Sequence, residues 1–474
     1  MKWETVIGLE VHAELSTRSK IFCSCTTSYG GEPNTHVCPV CAGMPGTLPV
    51  LNSKVVEYAL RLGLALNCLI TQQCKFDRKN YFYPDLPKAY QVSQLYMPIC
   101  RDGYLEIETE NNKKKIGIRE IHMEEDAGKL NHGSKGSFMD FNRCGVPLLE
   151  IVSHPDLSSA GEVIVYLEKL RETLLFLDIC DCKMQEGSIR ADINLSVRRS
   201  GEKPGIRTET KNMNSFKAIA RAVEYETERQ IEILEDGGTI IQETRRWDDE
   251  KSTSSGMRSK ENAQDYRYFP EPDLLPINID DGWISRVKNN LPELAYQKRG
   301  RYMRDYKISA DEAYVLTCHK NISSLFETLA QKSGQPVESA HLISCEIMRH
   351  MNNVNMLPED LSIEADKLVT LISFVTSGKI NRASFKETVE AVFKNNADPE
   401  SYIAEKGLIM ISDDNAIIKA AEKVMAANED SVTEYRSGKE KIFGFLMGMV
   451  MKELGKSGNP ELVKRILQDK LNGL

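Results

Sequence analysis

The sequence predicts a mixed α+β domain over residues 1–290 followed by an all-α region over residues 291–474, and three observations carry that division. Leu9, Val11, Ala13 and Leu15 alternate with Glu10, His12 and Glu14. Ile189, Ala191, Ile193, Leu195 and Val197 alternate with Arg190, Asp192, Asn194 and Ser196 in the same way. A period of two gives a strand one apolar and one polar face. From about Leu291 onward glycines thin out and the apolar spacing becomes helical.

Between those two strands the spacing predicts a helix. Ser159 and Glu162 make a capping-box pattern, and Val163, Leu167, Leu170, Leu174 and Leu177 follow on one helical face. A second helix is predicted from about Ser215 to Glu235. In the all-α region Gly407 interrupts the pattern. That predicts a helical domain over residues 291–406 and a tail domain over residues 407–474. The final helix has Asn459 to cap it, Pro460 at its first position and an apolar stripe of Val463, Ile466 and Leu467.

Composition sets outer limits. The chain has 474 residues, of which 41% are hydrophobic and 27% charged, as in an ordinary soluble globular protein. No apolar run approaches the roughly 18–20 residues that span a bilayer. Strand-like alternation begins by Val6, which leaves no room for a presequence, so a cytoplasmic protein is expected and no membrane partner. The formal net charge is -8, so any nucleic-acid contact must be local.

Twelve cysteines in a reducing compartment suggest free thiols, with room for one metal site. Cys23 and Cys25 precede Cys38 and Cys41, with Gly30, Gly31 and Pro33 between them in a stretch suited to folding back. Thiolates at that spacing can share one tetrahedral zinc ion, a closed and therefore structural site. The alternative is four unrelated reduced cysteines, and His36 is a possible substitute ligand. Cys180 and Cys182 have no partner pair and read as core thiols.

Acidic residues form a second pattern. Glu10 and His12 share the polar face of the first strand. His122-Met123-Glu124-Glu125-Asp126 concentrates three carboxylates, Glu150 interrupts the apolar run 146–152, and Asp192 lies on the later strand's polar face. A carboxylate inside an apolar stretch is costly unless it is paired or binds a metal. An oxygen-rich set favours magnesium or manganese over zinc. Fixed positive charge is offered by Lys79, Lys88, Arg190, Lys211, Arg258, Lys260 and Arg267. Divalent metal with Lys and Arg around one cleft is how proteins hold a transferring phosphoryl group. A set of structural ion pairs explains the same residues equally well. Neither a P-loop nor a G-x-G-x-x-G turn is present. Period-two geometry cannot place both Glu124 and Glu125 on the metal side, and the residues alone leave that choice open.

Several long strings resemble the GatB family. They are GLEVHAEL (8–15), FDRKNYFYPDLPKAYQ (76–91), IHMEEDAGK (121–129), NRCGVPLLEIVSHPDL (142–157), EGSIRADIN (186–194), KNMNSF (211–216) and DYRYFPEPDL (265–274). The resemblance implies a glutamine synthetase-like cradle with a mixed or antiparallel sheet, then a helical domain and a YqeY-like tail, both serving tRNA binding. It implies partners GatA, which releases ammonia, and GatC. It implies use of ATP and Mg2+ to activate the side-chain carboxylate of Glu-tRNA(Gln), and of Asp-tRNA(Asn) in many bacteria, before ammonia displaces phosphate. The family's metal ligands map onto Glu10, His12, Glu125 and Glu150, with Asp192 at or beside a second metal. Lys79, Tyr81 and Lys88 would line the cradle or a channel mouth. As fixed charges beside the acidic set, Arg190, Lys211, Arg258 and Arg267 are the expected cofactor-binding residues. Zinc at the four cysteines belongs to a subgroup of the family. Two rivals stand beside this reading: a GatE-type enzyme, whose inserted domain the sequence lacks, and a non-catalytic tRNA-binding scaffold.

Overall fold

The computed structural model describes residues 2–109, 112–133, 136–259, 266–410, 413–455 and 458–472. The chain divides into two compact units, Met1–Leu294 and Ala295–Leu474.

The first unit is built on nine strands: β1 (Trp3–Glu14), β2 (Leu69–Ile70), β3 (Cys100–Thr109), β4 (Asn112–Glu125), β5 (Pro147–Ser153), β6 (Ile189–Arg199), β7 (Thr208–Lys211), β8 (Glu243–Asp248) and β9 (Thr253–Ser259). Their order is β9-β8-β7-β6-β1-β5-β4-β3-β2. Every pairing is antiparallel except β7 with β8. β1 is therefore a central strand, and its alternation has a direct consequence. Ile7, Leu9, Val11 and Ala13 are buried, while Glu10, His12 and Glu14 are half-buried on the other face. A slip of one residue would exchange the two faces, so the burial of that apolar row pins the register.

Three helices pack against the sheet: α1 (Ser53–Ala65), α2 (Ala160–Phe176) and α3 (Phe216–Glu235). α1 and α2 lie on β3, α3 lies on β6, and α2 packs on α3. Val163, Leu167, Leu170 and Leu174 of α2 are fully buried, as their spacing predicts. The Ser159 hydroxyl caps α2 by accepting from the Glu162 N–H at 3.2 Å. Glu162 does not complete the predicted box. Its carboxylate accepts instead from the Ser158 N–H and from Lys114, both at 2.8 Å. α3 begins after Ser215, whose hydroxyl accepts from the Ala218 N–H. Cys180 and Cys182 are core thiols.

Among the described residues of the second unit the named elements are all helices. Its buried side chains form two clusters, one from Tyr302 to Ile403 and one from Ile417 to Leu471. Gly407, in a left-handed conformation with φ 62°, lies between them in sequence. The last helix, Pro460–Leu471, buries Val463, Ile466 and Leu467. The Asn459 side chain accepts from the Glu461 and Leu462 N–H groups at 3.1 and 3.4 Å. Asn459→Ala is expected to destabilise this helix by about 1 kcal/mol. Amide hydrogen exchange across residues 460–471 of the full chain reads that loss; unchanged protection would assign the helix start to Pro460 alone. Among the described residues no helix is long and apolar enough to cross a membrane.

Candidate functional site

The polar face of the sheet gathers side chains from four adjacent strands. In the register, Glu10 lies opposite Asp192 and His12 opposite both Glu150 and Arg190. Glu150 lies opposite His122, and Glu124 stands two residues further along β4. His12 is the hub. Its Nε2 is 3.8 Å from Glu10 Oε1, 3.5 Å from Glu124 Oε1 and 4.0 Å from Glu150 Oε2. Glu10, His12 and Glu150 each offer a ligand atom within 4.8 Å of the others.

Burial and mutual repulsion shape the charge of this group. Burial, then the charge of Glu150, pushes the Glu10 carboxyl up to about 7. The same two causes push Glu124 up to about 8. Burial also works against Glu150, but His122, His12 and Lys79 outweigh it and hold that carboxyl below its ordinary range. Burial lowers His12, which favours a neutral imidazole with a free lone pair. With two of the three carboxyls raised, the group resists full ionisation unless a cation joins it. Oxygen donors with a single nitrogen fit magnesium or manganese.

Glu125 is not brought to this group, which corrects the ligand expected from the resemblance. β4 runs unbroken to Glu125, so successive side chains point to opposite faces. Glu125 is held on the other side, by Lys88 Nζ at 2.5 and 2.7 Å and by the Val92 N–H at 2.9 Å. Glu124 takes the inward position, with Ser93 Oγ donating to it at 3.1 Å.

The basic residues separate into distinct roles. Lys79 lies over the Tyr266 ring at 4.9 Å and the Tyr81 ring at 5.7 Å, and its charge reaches Glu124 and Glu150. Lys211 is ion-paired to Asp192 and lies 3.4 Å from Glu209. The charges of Lys211 and of Asp192 both act on Glu10, in opposite directions, so this ion pair sits at the cluster's edge. Arg190 turns away toward Asp126, which it meets at 2.8 Å beside Arg143 at 3.3 Å. Burial opposes the Asp126 charge, but those two guanidiniums hold it low, and Glu14 donates to it as a neutral acid. Arg267 is exposed. The β9 backbone at Arg258 pairs with Thr244, but the Arg258 side chain and all of Lys260 lie outside the described residues.

The four cysteines also converge. Cys23, Cys25, Cys38 and Cys41 are unpaired thiols, and their sulfur atoms lie within 4.8 Å of one another. Cys41 Sγ accepts from the Cys38 N–H at 3.2 Å. The buried Lys20 ammonium reaches Cys41 Sγ at 3.6 Å, the His36 carbonyl at 2.7 Å and the Phe141 carbonyl at 3.4 Å. Donation from Cys23, aided by the Cys38 N–H and Lys20 against burial, brings Cys41 down to about 4, a thiolate. Burial, foremost, pushes Cys25 up to about 11. Four sulfurs in one shell, a preformed thiolate and a buried counter-charge fit a tetrahedral zinc. The His36 ring packs against Gly31 and stands outside the sulfur group.

Residues 5–285 match the family described as GatB/GatE catalytic domain, and residues 324–471 match the one described as GatB domain. The chain is 56% identical over 473 residues to the B subunit of an aspartyl/glutamyl-tRNA(Asn/Gln) amidotransferase from Lachnoclostridium phytofermentans, covering 99% of both. It is 53% identical over 477 residues to the protein so named from Caldicellulosiruptor bescii, again covering 99% of both. Identity is 51% over 474 residues to that of Thermoanaerobacter pseudethanolicus, with full coverage of both. The chain belongs to the GatB family.

Two parts of this GatB-family site escaped the sequence reading. Glu14 extends the Glu10–His12 row and joins Asp126, a partnership the strand alternation hints at through its third polar position. Tyr266 and Tyr268 also border the acidic group, their rings 6.2 Å apart and the first 5.8 Å from Tyr81. Both lie inside the familial string 265–274, but no periodicity marks them.

Proposed function

We propose that the chain is the B subunit of a tRNA-dependent amidotransferase and carries its ATP-using site. In this reading the site phosphorylates the side-chain carboxylate of Glu-tRNA(Gln), and of Asp-tRNA(Asn), and ammonia then displaces phosphate. The single observation that supports it is the convergence of Glu10, His12, Glu124 and Glu150 on one sheet face. A carboxylate is a poor acyl donor until a good leaving group is attached to it, which is what ATP can provide. Mg2+, when bound, supplies positive charge to the phosphoryl oxygens.

The chain's own residues do the rest. Glu10, Glu124, Glu150 and neutral His12 hold the cation. Lys79 adds a fixed charge at the rim, and the Lys211–Asp192 pair fixes the far edge of the cluster near the second metal position. Ammonia must arrive unprotonated and away from bulk water, since hydrolysis would waste an activated carboxyl. A supplying GatA subunit and a GatC subunit answer that need. The cradle, on this reading, is a variant of the glutamine synthetase fold. The helical domain (291–406) and the YqeY-like tail (407–474) hold the tRNA, and the complex works in the cytoplasm.

The test is Glu150→Gln in the complex reconstituted with its partner subunits. Glutaminase activity and tRNA affinity should persist. Formation of Gln-tRNA(Gln) and ADP should fall about a hundredfold or more, as expected for lost charge stabilisation of phosphoryl transfer. Amidation at the normal rate would favour the scaffold reading.

A further inference from the structure

The four-sulfur loop meets the lysine that pairs with the end of β4, and the meeting point is Gly43. Residues 38–44 form a tight turn. It is closed by N–H donation from Ala42 to the Cys38 carbonyl at 3.0 Å, from Gly43 to Val40 at 3.0 Å and from Met44 to Pro39 at 2.9 Å. Gly43 takes φ 68° within it. A Cβ added there would overlap Lys88 Cγ and stand 3.3 Å from both Lys88 Cα and Cβ. Only glycine therefore lets the lysine stem lie across the turn. The stem is not wedged on every side, because Cys23, Cys41, Gly43, Lys88 and Glu125 line a shared cavity of about 110 Å³. Contact with the turn is what sets its course.

Lys88 carries that contact to β4. Its ammonium holds Glu125 at 2.5 and 2.7 Å, in a pair almost closed to solvent. The Val92 N–H donates to the same carboxylate, and the Gln91 side chain donates to the Glu125 carbonyl at 2.8 Å. Glu125 is the last residue of β4, and Glu124 just before it stands 3.5 Å from His12 Nε2. Alternation makes the two orientations a single choice. A Glu125 anchored outward leaves Glu124 facing His12. Without Lys88, Glu125 is a buried carboxylate lacking its counter-charge, and it competes with Glu124 for the inward face.

We propose that Gly43 is a positioning residue for the cation group: the cysteine turn holds Lys88 on Glu125, and that pair keeps Glu124 turned toward His12. The four-sulfur site and the cation site are thereby coupled through one lysine. This rests on the proposed function, which supplies the cation.

The probe is Mn2+ alone, titrated into the zinc-loaded complex with its partner subunits and followed by electron paramagnetic resonance. The site scored is the one that Glu150→Gln removes. Gly43→Ala should keep its full zinc complement yet bind Mn2+ there about 10–100-fold more weakly, the range for residues that orient a metal's ligands. Saturating Mg2+ should return kcat for Gln-tRNA(Gln) formation to near the wild-type value, since Gly43 acts through the ligands and not on the reacting atoms. Lys88→Ala should weaken Mn2+ binding by a similar factor. The double variant should lose no more, because the added Cβ then meets no Cγ. Wild-type Mn2+ affinity in Gly43→Ala overturns the inference, and so does an equal further loss in the Lys88→Ala background, which would trace the effect to strain in the turn. Should Gly43→Ala alone fail to assemble, assembly of the double variant supports the same route and its failure overturns it. A wild-type complex with no Glu150-dependent Mn2+ site would overturn the proposed function itself.

Discussion

Glu124→Gln should nearly abolish amide formation, whereas Glu125→Gln, one residue on, should first cost stability. The two side chains leave β4 on opposite faces. Glu124 stands 3.5 Å from His12 Nε2, in the group that would hold the cation. Metal charge is worth several kcal/mol to a phosphoryl-transfer transition state, and each 1.36 kcal/mol is tenfold in rate, so weakening it should slow the step about a thousandfold. Glu125 instead neutralises Lys88, in a pair whose side chains are only 4% and 12% exposed. Removing one charge from a buried pair costs about 3–5 kcal/mol, because the other is left uncompensated. The stability of the metal-free chain should respond oppositely to Glu124→Gln. The folded chain raises that carboxyl to about 8, so its ionisation opposes folding increasingly as pH climbs from the ordinary carboxylate range, and fully above about 8. The amide removes that penalty, and the thermal midpoint in EDTA should rise most in alkaline buffer. Full amidation by Glu124→Gln, with a loss of activity confined to Glu125→Gln, would reverse the assignment.

That contrast also marks where sequence reasoning ran out. The alternation in β1 and β6 was legible because both strands are central and buried on one face, so period two writes itself into residue type. Glu10, His12 and Asp192 followed from it, and Glu150 from being the one carboxylate in an apolar run. Glu124 did not, because the choice depends on whether β4 continues through Glu125 or breaks before Gly128, and a string of acids carries no apolar phase to read. Arg190 illustrates a different limit. Its strand face was right, but its guanidinium goes to Asp126, 64 residues away in sequence. Only the packed sheet makes that carboxylate a nearer target than a phosphate. The cysteines were the reverse case, since a C-x-C and C-x-x-C spacing states its geometry almost completely. What it left unsaid was Lys20, a charge inserted from outside the motif.

Cys41→Ser should release zinc from the purified chain, while Cys180→Ser should not. Both thiols are buried, so burial alone predicts no difference. Cys41 differs because its sulfur lies in the four-sulfur shell, accepts the Cys38 N–H and touches the Lys20 ammonium. Structural zinc sites contribute apparent binding free energies of about 10–16 kcal/mol, so an incomplete shell should be felt as local unfolding of residues 23–41. The loop tip around Tyr29 is already exposed, and without metal its neighbours should follow. Elemental analysis should find one zinc per chain in the wild type and Cys180→Ser, and far less in Cys41→Ser. Limited proteolysis near Tyr29 should accelerate in the same variant only. Lys20 sharpens the test. A four-thiolate zinc carries net negative charge, and a buried ammonium with three acceptors around it lowers the cost of keeping that charge out of water. Lys20→Met preserves the aliphatic stem and removes the charge, so zinc affinity should weaken about 10–100-fold, as for other outer partners of a metal site. Full zinc retention in Cys41→Ser would mean that the four sulfurs approach one another for packing alone, and Lys20 would then be an ordinary buried lysine satisfied by two carbonyls.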